Sequence, residues 1–152
     1  MRSKVSGSES IKILLVEDNE AHAEMILRSF EDNRIANKIT HVDDGEKALD
    51  YLFHRGDYGG DSKESLPDLI LLDLRLPKVD GLQVLDEIKS SEELQSIPVV
   101  ILTTSAADLD VAKAYKSHAN SFLIKPVDFA SFTKMMDDLG YYWLVANHKP
   151  HI

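Results

Sequence analysis

Five polar side chains stand at the ends of short apolar segments, where a polar group is costly unless something binds it. They are Glu17, Asp18, Asp73, Thr103 and Lys125. Asp73 is the clearest case, because it interrupts the apolar run in PDLILLDLRLPKVDG. A carboxylate that leaves water without a partner costs several kcal/mol or takes up a proton. Asp73 is therefore either an incidental surface acid or a group placed to meet a cation.

The charges of this set predict the ligand that it binds. Two like charges about 4 Å apart repel by about 4 kcal/mol at an effective dielectric constant of about 20. Lys125 alone cannot neutralise three carboxylates, and Mg²⁺ or Mn²⁺ is the hard divalent ion that oxygen ligands favour. A metal ion, an ammonium group, a hydroxyl and a carboxylate nucleophile together suit phosphoryl transfer. We therefore expect Asp73 to attack a phosphoryl group.

Segments of strand length alternate with segments of helical periodicity along most of the chain. The predicted strands are residues 11–16, 38–42, 69–74, 97–102 and 121–124. Apolar residues at helical spacing predict a helix after each strand, the first over 19–34. Strands that are almost wholly apolar, each followed by a helix, indicate an α/β protein with a parallel sheet covered on both faces. Ligands of such sheets bind at the carboxyl ends of the strands, where the five polar residues stand.

Length and composition limit the class of protein. The 152 residues suffice for one domain with a core, and the net charge of −9 disfavours a nucleic-acid partner. The chain has no cysteine, which excludes disulfides and cysteine-based metal sites or nucleophiles. Its apolar runs are too short to span a membrane, and the polar residues 1–10 predict a flexible tail, not a signal peptide. We expect a cytoplasmic protein with no membrane partner.

Four motifs at successive strand ends carry a family resemblance. They read LLVEDN, LLDLRLPKVDG, VVILTTS and FLIKP, and in this order they resemble two-component response-regulator receiver domains over residues 11–139. The resemblance implies a doubly wound, flavodoxin-like, five-stranded parallel sheet with strand order 2-1-3-4-5 and helices on both faces. The long polar segment 55–65 and the sequence YYWL also resemble the single-domain regulators paired with cyanobacterial and other bacterial phytochrome kinases.

The resemblance implies which residues hold the metal. Asp73 matches the phosphoacceptor and Asp18 a direct ligand of Mg²⁺ or Mn²⁺, while Glu17 matches an acid that holds metal-bound water. Arg75 matches the residue whose backbone carbonyl completes the site. Its long basic side chain departs from several relatives. At the pocket mouth it could shield the phosphoryl group or pair with its oxygens, which would change the phosphoryl lifetime.

The resemblance also implies how the phosphoryl group is bound and sensed. Thr103 matches the hydroxyl and Lys125 the cation that contact the phosphoryl oxygens, and Phe122 falls at an aromatic switch position. The alternative for Phe122 is a core phenylalanine that does not move. His22 follows the acidic pair on the first predicted helix, and we interpret it as a surface residue.

These features favour a stand-alone response regulator of a two-component phosphorelay. The chain would accept a phosphoryl group from a sensor histidine kinase onto Asp73, with a phytochrome-type kinase as one candidate, and would signal through a downstream protein or phosphotransfer partner. We expect no enzyme activity beyond its own phosphorylation and dephosphorylation. One alternative is a Mg²⁺-dependent phosphohydrolase resembling the haloacid dehalogenase family, but Arg75 stands where those enzymes place a second acid. The other is an unphosphorylated adaptor, which would normally have lost one of these groups.

Residues 140–152 form a third predicted region, an aromatic extension of the last helix followed by a tail. Tyr141, Tyr142 and Trp143 follow Gly140 in an unbroken apolar run, and a helix can bury only one stripe against its own sheet. We expect these aromatic residues to extend a two-fold homodimer interface formed by the fourth helix, fifth strand and fifth helix. The alternative is that this segment folds back over the first helix.

Overall fold

The structure is a computed structural model that describes residues 11–32, 38–59, 66–108, 110, 121–125, 130, 131 and 134. Its strands are β1 (Lys12–Val16), β2 (Lys38–Val42), β3 (Leu69–Asp73), β4 (Val99–Thr103) and β5 (Ser121–Ile124). Its helices are α1 (Glu20–Asp32), α2 (Gly45–Phe53) and α3 (Gly81–Lys89). Residues 56–58 form a short 3-10 turn, and residues 106–108 are helical. None of the helices in these ranges is long and apolar enough to cross a membrane.

The five strands form one parallel sheet in the order β2-β1-β3-β4-β5. Each parallel connection needs a crossover, and α1, α2 and α3 supply it between the first four strands. The predicted fold class and strand order are therefore confirmed. The fourth strand begins two residues later than predicted, because Ile97 lies in the preceding turn, where its carbonyl accepts a hydrogen bond from Lys89 Nζ at 2.8 Å.

The strands are almost wholly apolar because both faces of the sheet are covered. In β1, Ile13 and Leu15 pack with α1, whereas Leu14 and Val16 pack with α2 and α3. Successive side chains of a strand point to opposite faces, so each strand serves two cores. The sheet is thereby held from both sides, which gives its carboxyl edge a rigid base.

The helices begin at side chains that accept hydrogen bonds from their first turns. Asp44 Oδ1 accepts from the Lys47 backbone N–H at 2.7 Å, and Asp80 Oδ1 accepts from the Gln83 N–H at 3.0 Å. Such caps satisfy backbone donors that have no partner within the helix. The caps fix where α2 and α3 start, immediately beyond the carboxyl edge of the sheet.

Candidate functional site

Four neighbouring strands end at the same edge and carry the polar residues found in the sequence. β3 ends at Asp73 and β4 at Thr103, while Glu17 and Lys125 directly follow β1 and β5. The Lys125 backbone N–H donates to the Thr103 carbonyl at 2.7 Å, which ties the last two strand ends together. The structure thus places these residues at one edge of the sheet.

Three carboxylates form the acidic part of the site. Glu17, Asp18 and Asp73 each offer an oxygen, and these oxygens lie within 4.8 Å of one another. Glu17 and Asp73 are buried, whereas Asp18 is exposed. A donor set made only of oxygen, with one open side for water, suits Mg²⁺ or Mn²⁺. The residues present therefore fit a hard divalent cation.

Glu17 is fixed at all of its polar groups. Its Oε1 accepts from Lys125 Nζ at 2.7 Å, and its Oε2 accepts from the Asn19 N–H at 3.2 Å. Its own N–H donates to the Val42 carbonyl at 3.0 Å, and its carbonyl lies 2.7 Å from His41 Nε2, which donates to it. With both carboxylate oxygens engaged, Glu17 is better placed to hold a metal-bound water than to enter the coordination sphere.

The site disfavours the ionised form of Asp73. Burial raises the pKa of Asp73, the charge of Glu17 adds to this rise, and Lys125 opposes it, which leaves the pKa at about 7. Lys125 Nζ lies 3.5 Å from Asp73 Oδ1, farther than from Glu17. A cation bound to the three carboxylates would favour the charged form of Asp73. A bound cation would therefore keep this carboxyl group ionised at lower pH.

Thr103 presents a buried hydroxyl at the end of β4, the strand next to β3. Its Oγ1 accepts a hydrogen bond from the Ser105 N–H at 3.1 Å. Ser105 Oγ in turn accepts from the Asp108 N–H at 3.2 Å, at the start of the helical residues 106–108. The hydroxyl is thus linked through one residue to the next element of the chain.

Gly81 explains why the motif that contains Asp73 ends in Asp-Gly. A Cβ at Gly81 would overlap the backbone carbonyl of Asp73, and the Gly81 N–H donates to the Leu74 carbonyl at 2.9 Å. Only a residue without a side chain allows α3 to begin this close to the end of β3. Gly81 therefore helps to hold the backbone of Asp73 in place.

The guanidinium of Arg75 is bound by Asp108 and is not free to contact the carboxylates of the site. Its Nε and one terminal nitrogen donate to the two oxygens of Asp108, each at 2.9 Å. Hydrogen bonding with Arg75 lowers the pKa of Asp108, and the pKa of Arg75 is raised by the same bonds and by the charge of Asp73. The sequence predicts the Arg75 side chain at the pocket mouth. It gives no sign that Asp108 binds the guanidinium there.

His22 belongs to the site, and its interpretation as a surface residue is wrong. It is half-buried in the first turn of α1, where its backbone N–H donates to Asn19 Oδ1 at 3.0 Å. Its Nδ1 lies 3.1 Å from Lys125 Nζ. The available signal was its place in the first turn of a helix that starts directly after Glu17 and Asp18.

Phe122 is half-buried in β5 and packs on the face of the sheet that α2 and α3 cover. Its predicted role as a switch stays a prediction. The predicted interface residues Tyr141, Tyr142 and Trp143 lie outside the described residues, as do the tails 1–10 and 140–152.

Comparison with known proteins gives related chains with the same fold. The family model for the response regulator receiver domain matches residues 13–137. The "Probable methanogenesis regulatory protein FilR2" of Methanothrix harundinacea is 52% identical, over 91% of this chain and 86% of its own. Response regulator Rcp1 of Synechocystis sp. is 39% identical, over 87% of this chain and 88% of its own.

Solved structures agree with this result. The bacteriophytochrome response regulator AtBRR is 44% identical and has a TM-score of 0.82, with 88% of this chain and 95% of that chain covered. The Mn²⁺-bound form of Rcp1 has a TM-score of 0.70, with 88% of this chain and 94% of that chain covered. The family resemblance seen in the four motifs is thereby confirmed. The chain belongs to the response regulator receiver domain family, and phytochrome response regulators are among its relatives.

Proposed function

We propose that Asp73 is the phosphoacceptor of this response regulator and that its phosphorylation requires Mg²⁺. The observation that carries the proposal is the convergence of Glu17, Asp18 and Asp73 within 4.8 Å, with Lys125 Nζ 3.5 Å from Asp73. An Asp73 oxygen forms a bond to phosphorus, and the bond between phosphorus and the imidazole nitrogen of the donor kinase breaks. The donor histidine takes up a proton as it leaves.

The three carboxylates have different surroundings, and these favour Asp73 as the nucleophile. Both oxygens of Glu17 accept hydrogen bonds from N–H donors, and Asp18 is exposed to water. Asp73 is buried beside these two acids, and Lys125 Nζ lies 3.5 Å from its Oδ1. Asp18, Asp73 and the Arg75 backbone carbonyl would hold the Mg²⁺, with Glu17 acting through water. When bound, the ion supplies charge that keeps Asp73 ionised and neutralises phosphoryl oxygens.

Lys125 and Thr103 would bind the phosphoryl group once it is formed. A phosphoryl group brings about two negative charges into a site that is already acidic. Lys125 is the buried cation beside Asp73, and Thr103 Oγ1 can donate to a phosphoryl oxygen if it turns from its contact with the Ser105 backbone. Thr103 is linked to residues 105–108. Its movement would therefore carry the signal towards the surface, with repacking of Phe122 as the second element of the switch.

Labelling by a small acyl-phosphate donor tests the assignment of Asp73. We expect the wild-type chain to gain one phosphate only with Mg²⁺, and Asp73→Asn and Asp18→Asn to gain none. Asp43→Asn, which changes an exposed carboxylate, is the matched control and should be labelled like the wild type. An acid-stable phosphate on Asp73→Asn would show that another residue is the acceptor. Steady release of phosphate from monoester substrates would instead indicate a hydrolase, and no labelling of the wild type an adaptor.

The proposed partners are a sensor histidine kinase and a downstream protein or phosphotransfer domain, in the cytoplasm, where kinases draw on ATP. The relatives suggest two candidates for the kinase. One is a phytochrome-type kinase, as the similarity to Rcp1 and AtBRR suggests, and the other is a kinase that works with a protein like FilR2. Transfer from each phosphorylated kinase to this chain, measured at short times, would distinguish them, because the cognate kinase transfers fastest.

We also propose that the chain forms a two-fold homodimer through its fourth helix, β5 and last helix, extended by Tyr141, Tyr142 and Trp143. The support is the density of aromatic residues in this part of the sequence. Sedimentation across a concentration series should show a dimer that Trp143→Ala weakens. A strict monomer at high concentration in both phosphorylation states would contradict the proposal.

A further inference from the structure

His22 contacts the lysine of the site from a helix that carries none of the other proposed site residues. Its Nδ1 lies 3.1 Å from Lys125 Nζ, and both side chains are largely shielded from water. Their positions are 103 residues apart, so the contact is made by the fold and not by local sequence. A buried contact between an imidazole and an ammonium group forms only if the imidazole accepts.

The number of hydrogen-bond donors on Lys125 indicates what this contact does. An ammonium group has three N–H donors and no acceptor. His22 Nδ1 must therefore carry the lone pair, with the ring proton on Nε2. Glu17 Oε1 at 2.7 Å and His22 Nδ1 at 3.1 Å occupy two of the donors. The third donor is left for Asp73 Oδ1, which lies 3.5 Å away.

We propose that His22 is a positioning residue for the phosphorylation of Asp73: as a neutral acceptor it orients the Lys125 ammonium towards the acceptor carboxylate and the incoming phosphoryl group. The inference rests on the proposed function of Asp73. A neutral acceptor orients the lysine without adding a further negative charge, which would compete with Asp73 for the same cation. His22 is thus suited to this position in a way that an acidic residue would not be.

Two variants test the acceptor. Asn offers Oδ1 at nearly the place of Nδ1, while His22→Leu removes the acceptor. With a small acyl-phosphate donor and saturating Mg²⁺ at about pH 8, we expect His22→Leu to be phosphorylated about tenfold more slowly, as for loss of a hydrogen bond to a charged group. His22→Asn should retain most of the rate. The small donor avoids any effect of position 22 on kinase docking.

The ratio of the His22→Asn rate to the His22→Leu rate is the decisive readout, because only the first variant keeps an acceptor for Lys125. We expect this ratio to be close to ten. A loss of packing alone would slow both variants alike. His54→Asn is the matched control, because His54 ends α2 in a left-handed conformation that Asn accepts, and its rate should equal that of the wild type.

Two results would overturn the inference. One is a His22→Asn rate as low as that of His22→Leu, and the other is a His22→Leu rate equal to that of the wild type. The proposed function fails by a different result, namely labelling that survives Asp73→Asn. Both variants must show unfolding transitions like the wild type, and if His22→Leu unfolds, His22→Ala, which also lacks the acceptor, takes its place.

Discussion

A cation contacts carboxylates at two places on the same edge of the sheet, and the two places differ in geometry and in burial. In the inner cluster, Lys125 lies between Glu17 and Asp73 at 2.7 and 3.5 Å. In the outer pair, Arg75 donates two hydrogen bonds of 2.9 Å to Asp108. By geometry alone the outer pair is the better ion pair, because the guanidinium matches both carboxylate oxygens.

The inner cluster is nevertheless far more buried than the outer pair. The side chains of Lys125, Glu17 and Asp73 are 6%, 0% and 6% exposed, whereas that of Arg75 is 78% exposed. Burial raises the pKa of Asp73, while hydrogen bonding with Arg75 lowers that of Asp108. The outer pair is thus complete by itself, and the inner cluster holds more negative charge than its lysine neutralises. A carboxylate that is unfavourable in the metal-free protein marks the place where a ligand binds.

Removal of each cation should give the largest contrast between the two places. In the metal-free protein at about pH 8, we expect Lys125→Met to lower the free energy of unfolding by about 3 kcal/mol, because buried carboxylates lose their cation. Arg75→Met, the matched change in the outer pair, should leave it unchanged within error, because solvent screens an exposed pair. Urea unfolding followed by circular dichroism measures both. Equal losses in the two variants would show that burial does not distinguish them.

Removal of one negative charge from the inner cluster should stabilise the fold. The pKa of Asp73 is about 7 in the folded protein against a reference value of 3.8. Between these values the folded carboxyl keeps a proton that the unfolded chain has lost, so stability falls as the pH rises through this window. We expect Asp73→Asn to gain about 2–4 kcal/mol above about pH 7 and nothing at about pH 4.

Mg²⁺ and a matched carboxylate serve as controls for this gain. Saturating Mg²⁺ should reduce the advantage of Asp73→Asn, because the wild type then binds a cation that offsets the buried charge. Asp108→Asn should show no gain at any pH, since the pKa of Asp108 is lowered, not raised. A gain for Asp73→Asn that persists unchanged to about pH 4 would mean that packing, not charge, is responsible.

The fold and the inner cluster could be predicted because their signals lie within short stretches of sequence. Apolar strands and helical spacing gave the parallel sheet, and strand ends such as Asp73 and Lys125 had to meet at one edge. The bounds of the fourth strand were less accurate, because Ile97 is apolar but lies in a turn. That a residue is apolar does not show whether its backbone forms the hydrogen bonds of a strand.

The contacts that sequence reasoning missed are those between side chains distant in the chain. Arg75 and Asp108 are 33 residues apart, and His22 and Lys125 are 103 apart. Each partner alone is compatible with a solvated surface, and charge gives no indication of pairing across such separations. Asp108 and His22 follow the site residues Thr103 and Asp18 by five and four residues, a position that could have placed them near the edge. The orientation of the side chains decides which cation Asp108 and His22 contact.

The smallest expected effect concerns the exchange of Arg75 between its two possible partners. Arg75 is held by Asp108, yet the charge of Asp73 already contributes to the raised pKa of Arg75. A phosphoryl group on Asp73 would strengthen that attraction and compete with Asp108 for the guanidinium. We therefore expect Arg75→Ala to lose its phosphoryl group about threefold faster than the wild type, since an exposed ion pair contributes modestly. Phosphorylation itself should still occur.

A substitution of Asp108, the partner of Arg75, tests this prediction most directly. Asp108→Ala frees Arg75, so we expect its phosphoryl group to decay more slowly than that of the wild type, and the double variant to decay like Arg75→Ala. Opposite signs for the two single variants are required, because both remove the same ion pair and only one retains the guanidinium. Decay of a radiolabelled phosphoryl group after removal of the donor measures all four chains. If both single variants change the decay in the same direction, the ion pair acts by holding the loop after β3 in place, and Arg75 does not reach the phosphoryl group.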